Sequence, residues 1–329
     1  MAPKVPPSGV WCPAVTMFDP TTDRLDPESQ AKYYAYLSKT GLAGLVILGT
    51  NAETFLLTRE ERRELLTIAR AACGEGFPLM AGVGGHSTRQ VLEFIDDAAG
   101  AGADYVLVLP PAYFGKATTP AVVDGFFGDV ARASPLPVVV YNFPGVCNGV
   151  DLDSEMIAGL ARKHENVVGV KLTCGSVAKI TRLAAEFPPE RFAVFGGQSD
   201  FLVGGLAVGS AGCIAAFANL FPKTIVEVYR AYRLGLFDEA LALHRRAARA
   251  EQACKAGGVA SIKYAASVFT APAAGITGDD VEERFNPRKP YLPLSEEQKR
   301  AIVVALMVMK QGEDLLRLVD NIMEGQDPK

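Results

Sequence analysis

Lys171 closes the apolar run Asn166-Val167-Val168-Gly169-Val170-Lys171, a costly place for an ammonium. Desolvation at the end of a buried strand favours the neutral amine, and a neutral lysine amine attacks carbonyl carbon. The alternative is a lysine that snorkels from the strand end or pairs with a carboxylate. Tyr141 closes the preceding run, Val138-Val139-Val140-Tyr141. Adjacent strand ends would bring this phenol within reach of the amine as a proton relay, or would leave it as an aromatic plug at the rim. Gly49-Thr50-Asn51 offers a turn whose amides and hydroxyl suit a carboxylate, and also reads as a plain tight turn.

Other chemistries find less support. The three histidines, His86, His164 and His244, never approach the spacing of a histidine-built metal site, so no metal is expected. No nucleophile elbow of the form G-x-S-x-G and no phosphate loop G-x-x-x-x-G-K-[ST] occurs. The glycines at 82–85 and 196–197 read as tight rim turns, and Gly196-Gly197-Gln198 is too short a hint of a phosphate-binding barrel. Cys174 lies near Lys171 without an evident histidine partner and reads as a small buried thiol. His86 reads as a surface-loop residue, with the mouth of a pocket as the alternative. Six cysteines without a C-x-x-C pair fit reduced thiols better than a disulfide frame.

These residues need a scaffold. Apolar residues form 49% of the 329-residue chain and charged residues 21%, enough for a large core. Short apolar runs at 10–16, 44–48, 78–83, 105–109, 138–141, 167–171, 192–195 and 213–216 alternate with amphipathic stretches such as 59–72, 88–99, 121–133 and 154–163. Asp26-Pro27, Thr58 and Ser87 are entry signals for three helices. Continuous apolar strands alternating with helices predict a parallel sheet covered by helices, and eight such units predict an α/β fold, a (β/α)8 TIM barrel. A doubly wound open sheet shares the pattern, but 10–18 is not followed by the G-x-G-x-x-G loop such sheets often carry. The barrel is expected over 1–234, with a C-terminal helical segment over 235–329 packed on it and helices at 237–255, 260–270 and 295–323. In such a barrel Thr50, Asn51, Tyr141 and Lys171 all fall at C-terminal strand ends, where barrel active sites form.

The net charge of −4 gives no electrostatic case for a nucleic acid or an anionic membrane as partner. No stretch approaches about 18 uninterrupted apolar residues, so no membrane span is expected. Residues 1–7 carry neither an apolar signal core nor an Arg-rich amphipathic helix, which leaves a cytoplasmic location as the expectation.

Three motifs in order, Gly49-Thr50-Asn51-Ala52-Glu53, Tyr141-Asn142-Phe143-Pro144 and Gly169-Val170-Lys171-Leu172-Thr173, resemble the dihydrodipicolinate synthase/N-acetylneuraminate lyase family. The family pattern is a G-[TS]-[TN]-G-E loop, a Y-N-x-P stretch and a G-x-K strand end, and the resemblance spans roughly 10–294. It implies a class I aldolase with no cofactor, holding pyruvate as a covalent Schiff base on Lys171, and a homotetramer built as a dimer of dimers. By the same resemblance Tyr141 shuttles protons, and Thr50 links it to a second tyrosine, Tyr113, donated across a subunit interface. Thr50 and Asn51 bind the keto-acid carboxylate, and the carbonyl of Ile214 lies by the substrate. Family members making dihydrodipicolinate carry an arginine shortly after Y-N-x-P; here Pro144-Gly145-Val146-Cys147-Asn148-Gly149 has none. Ala52 also stands where the family has glycine. Lys171-Leu172-Thr173-Cys174-Gly175 looks closer to the branch that cleaves 4-hydroxy-2-oxoglutarate or 2-keto-3-deoxy sugar acids to pyruvate and an aldehyde. The alternatives are a condensing or dehydrating enzyme on the same Schiff base, and a non-catalytic binding homologue.

Overall fold

The computed structural model describes residues 3–323, with side chains described to residue 319; the outermost residues of the two expected segments, at 1–2 and 324–329, lie outside the described residues. Eight strands run β1 (Gly9–Pro13), β2 (Gly44–Ile47), β3 (Leu79–Gly82), β4 (Tyr105–Val108), β5 (Val138–Asn142), β6 (Val167–Leu172), β7 (Ala193–Gly196) and β8 (Gly212–Ile214). Each pairs in parallel with its sequence neighbours, and β8 closes on β1. Closure rules out the open doubly wound sheet and gives the (β/α)8 TIM barrel.

Helices follow the strands in turn: α1 (Pro27–Leu37), α2 (Arg59–Cys73), α3 (Thr88–Gly100), α4 (Pro120–Ala133), α5 (Ser154–Lys163), α6 (Val177–Glu186), α7 (Leu202–Ala207) and α8 (Pro222–Arg233). The expected entry signals act as caps. Asp26 accepts from the Ser29 amide, Ser87 from the Gln90 amide, and Thr58 forms a reciprocal capping box with Glu61. The first strand is shorter than the apolar run 10–16. After Pro13 the amides of Val15 and Met17 turn to the side chains of Asn219 and Gln30, so the chain leaves the sheet.

Inside the barrel, Trp11 packs edge-on against Tyr105 and Phe195, with ring centroids 6.0 and 6.3 Å apart. Gly44 makes room for it, since a Cβ there would lie 2.3 Å from the indole. Strand β6 contains an irregularity that matters for the site. Val138 pairs with Val167 but Val139 pairs with Gly169, so one extra residue, Val168, is inserted opposite β5. A Cβ on Gly169 would come within 2.6 Å of the Ala193 carbonyl, so the insertion needs glycine there. Beyond it, Tyr141 stands opposite Lys171.

The remaining chain is helical: α9 (Phe237–Lys255), α10 (Gly258–Phe269), the short α11 (Val281–Arg284) and α12 (Glu296–Met323). Helix α9 lies against α8 and α12. Helix α8 has no side-chain cap of its own. Its first amides are met instead by buried Glu313 of α12, which accepts from the Lys223 amide at 3.0 Å and from the Thr224 amide and hydroxyl at 2.7 and 2.6 Å.

Candidate active site

The turn after β2 carries Thr50 and Asn51 in a 3-10 turn, Thr50–Ala52. Leu48 and Glu53, both in the left-handed region with φ of 64° and 56°, bracket it. Ala52 itself is buried with negative φ, and its carbonyl accepts from the Thr16 hydroxyl at 2.9 Å. An alanine therefore fits where the family has glycine; the strained position is Glu53. Its conformation is held from below, because Lys263 of α10 donates to Oε1 at 2.5 Å and the Arg288 amide donates to Oε2 at 2.8 Å. Lys263 is fully buried, and burial pushes its ammonium down to about 8 against the pull of Glu53.

Lys171 is only 2% exposed. Its Nζ lies 4.3 Å from the centre of the Tyr141 ring, and the Tyr141 hydroxyl is 3.4 Å from Thr50 Oγ1. The three residues that sequence placed on three different strand ends thus form one chain of contacts. Asn142 anchors the following loop: its Oδ1 accepts from the Leu152 amide at 2.9 Å and its amide donates to Asp151 at 2.7 Å. Lys179, largely buried, binds the same Asp151 at 2.5 Å. The thiols of Cys12 and Cys213 sit near Lys171, and burial raises both well above the usual thiol range, so they stay protonated. Cys174 is half-buried rather than buried, and outside the cavity.

A cavity of about 370 Å³ opens over these groups, with Thr50, Asn51, Tyr141, Phe143 and Lys171 in its wall. Ile214 is fully buried as the last residue of β8 and is not in that wall; Ala216, two residues on, is. Tyr113 is not brought to the cavity within the protomer. It is 71% exposed, its ring 5.9 Å from His86 and 5.3 Å from Phe114, while His86 stacks on Phe55 at 5.5 Å. His86 therefore belongs to an exposed aromatic patch. In the place of the missing arginine, 144–149 forms a tight turn in which Asn148 (φ 48°) donates to the Ala112 carbonyl at 2.7 Å.

Three polar wall residues, Thr173, Glu251 and Lys255, were given no role by the sequence reading. Thr173 Oγ1 is buried without a partner at the cavity edge, and a Cβ on Gly197 would lie 2.0 Å from it. The signal was its place two residues beyond Lys171. Glu251 and Lys255 reach the wall from α9, and nothing local in sequence ties them to β6. Among the described residues no group of three or more His, Cys, Asp or Glu is placed to hold a metal ion.

The model of the dihydrodipicolinate synthetase family matches residues 6–309. A Coccidioides immitis protein, provisionally named a mitochondrial 4-hydroxy-2-oxoglutarate aldolase, is 67% identical over 92% of this chain and 95% of its own length. An L-threo-3-deoxy-hexylosonate aldolase of Hypocrea jecorina is 37% identical over 82% of this chain and 89% of its own. Among solved structures, a prophage protein from Escherichia coli K12 in complex with pyruvate superposes with a TM-score of 0.82 at 28% identity, covering 92% of this chain and 98% of that one. The Coccidioides relative and a second one, from Emericella nidulans at 38% identity, are named mitochondrial. That overturns the cytoplasmic expectation. An import signal is an address removed after delivery, so the composition and packing of a folded enzyme bear no trace of it.

Proposed function

The chain belongs to the dihydrodipicolinate synthetase family, and we propose that this member is a class I aldolase working through a Schiff base of pyruvate on Lys171. The names of relatives at 67% and 37% identity support an aldolase, a carbon–carbon lyase, over a condensing synthase, the activity named for relatives at 32% and 33%. The observation that carries the mechanism is the contact chain Lys171–Tyr141–Thr50 in the wall of one cavity.

Lys171 Nζ attacks the ketone carbon of a 4-hydroxy-2-oxo acid, and loss of water gives an iminium. The iminium draws in the electron pair of the C3–C4 bond as the C4 hydroxyl loses its proton. An aldehyde leaves, the enamine takes a proton at C3, and water releases pyruvate. Tyr141 is the proton carrier, since its hydroxyl meets Thr50 while its ring lies beneath the Lys171 amine. Thr50 and Asn51 hold the α-carboxylate on the turn that Glu53 braces, and Ala216 rather than Ile214 brings the chain after β8 to the cavity. The unpartnered Thr173 hydroxyl suits the C4 hydroxyl.

The substrate is 4-hydroxy-2-oxoglutarate or a 2-keto-3-deoxy sugar acid, in line with the turn at 144–149 that lacks the arginine. The assembly is a homotetramer in which the exposed Tyr113 of one protomer reaches Thr50 of another, and the site of action is the mitochondrion. Borohydride reduction in the presence of pyruvate, followed by peptide mapping, is the test. The expected result is a pyruvate adduct on Lys171 that Lys171→Ala abolishes. Well-folded protein without that adduct would refute the Schiff-base mechanism.

A further inference from the structure

The cavity wall opposite the Thr50–Asn51 turn comes from outside the barrel. Helix α9 presents Glu251 and, one turn on, Lys255, and both line the cavity that holds Lys171. Each is clasped to the loop after β7. Ser199 Oγ donates to Glu251 Oε2 at 2.6 Å, and Lys255 Nζ pairs with Asp200 at 2.6 Å. His244, on the same helix, donates from Nε2 to the Ser199 carbonyl at 2.9 Å and fixes that loop. Glu251 is 5% exposed, so this is a built carboxyl rather than a surface one.

Resting on the aldolase reading above, we propose that Glu251 is a specificity residue that admits a second carboxylate at the far end of the substrate by taking up a proton, with Lys255 as the fixed cation beside it. The argument is one of charge. Asp200 is outside the cavity wall but already matches the charge of Lys255, so an ionised Glu251 gives this α9 cluster a net negative charge that repels an anion. With Glu251 protonated, the Glu251–Lys255–Asp200 cluster is neutral and gains an O–H donor, while Lys255 retains ammonium hydrogens beyond the one Asp200 uses. A substrate whose tail carries only hydroxyls meets either form.

Glu251 is able to switch near neutral pH. Burial raises its carboxyl to about 7, and Asp200 acts in the same direction. The Ser199 hydroxyl and main chain and the Lys255 ammonium oppose the rise. The other ionisable groups facing it are the thiols of Cys213 on β8 and Cys254 on α9, both held protonated by burial, and Lys171 across the cavity. His244 is pushed down by burial and stays neutral above pH 7.

The experiment measures competition against pyruvate trapping on Lys171 by borohydride, from pH 6 to 9. One competitor is a five-carbon dicarboxylic 2-oxo acid, the other a monocarboxylic 2-oxo acid of equal length with a hydroxylated tail. The ratio of their inhibition constants removes the pH dependence of the Schiff base itself. Dicarboxylate binding is expected to weaken about fivefold from pH 7 to 8 and roughly tenfold per unit above, relative to the hydroxylated competitor, as one-proton linkage requires. Glu251→Gln should flatten the ratio. Ser199→Ala, which removes a bond favouring the carboxylate, should move the inflection upward and serves if the first variant does not fold. A ratio constant with pH in wild type, or a slope that persists in Glu251→Gln, overturns the proposal. Absence of the pyruvate adduct before any competitor is added would instead overturn the aldolase reading, and this inference with it.

Discussion

Lys263→Met tests whether the buried pair beneath the Thr50–Asn51 turn holds the active-site loop. Methionine keeps most of the aliphatic stem and removes the cation. Glu53, with its carboxylate 6% exposed, then keeps the Arg288 amide but loses the Lys263 ammonium. The Arg288 guanidinium cannot substitute, because it is engaged by Glu61 and Asp23. Removing one member of a buried ion pair costs about 3–5 kcal/mol. An unfolding entropy of about 2.1 cal/mol/K per residue gives roughly 0.7 kcal/mol/K for the whole chain, so Tm should fall by about 4–7 °C. Glu53→Gln should cost less, since a buried ammonium already brought down to about 8 escapes by losing its proton. The double variant should recover to within about 1 kcal/mol of wild type. Calorimetry of the four proteins at pH 7, with pyruvate trapping as the functional readout, completes the cycle. A Lys263→Met protein melting within about 1 °C of wild type, or a double variant whose losses simply add, would refute the bracing role.

Two further outcomes follow from contacts described above. Tyr141→Phe should lower kcat about 10²–10⁴-fold while Lys171 still forms the pyruvate adduct, and full activity in steady-state assays would remove Tyr141 from proton transfer. Glu313→Ala strips three acceptor bonds from the start of α8, worth about 1 kcal/mol each, so a Tm loss of about 4 °C is expected by calorimetry.

The barrel was legible because its strands are continuous apolar runs, and the helix entries because Asp26, Thr58 and Ser87 cap locally. Strand ends were misjudged where side chains remote in sequence, such as Asn219 and Gln30 beyond Pro13, take over the backbone amides. Lys171, Tyr141 and Thr50 were legible because each closes or follows a strand. Glu251 and Lys263 were not, because their partners, Ser199 and Glu53, lie 52 and 210 residues away and no periodicity encodes that meeting. Tyr113 was singled out by family resemblance alone, and within the protomer its ring lies on the surface.

The inserted residue in β6 acts as a counting device. Val139 and Tyr141 alternate regularly toward the barrel axis, but on β6 the inward side chains are Val168 and Lys171, three residues apart. A uniform strand would put positions of that spacing on opposite faces. The direction of the nucleophile is therefore set by the number of residues before it and not only by its identity. Val167 and Val170 face the helices and Gly169 pairs with inward Val139, so deleting Val168 alone would leave a regular ladder with Lys171 still inward. One residue added between Gly169 and Lys171 has no such insertion to absorb it and would turn Lys171 toward the helices. A chain with every residue type of the motif present can thus lose its active site by a change in phase.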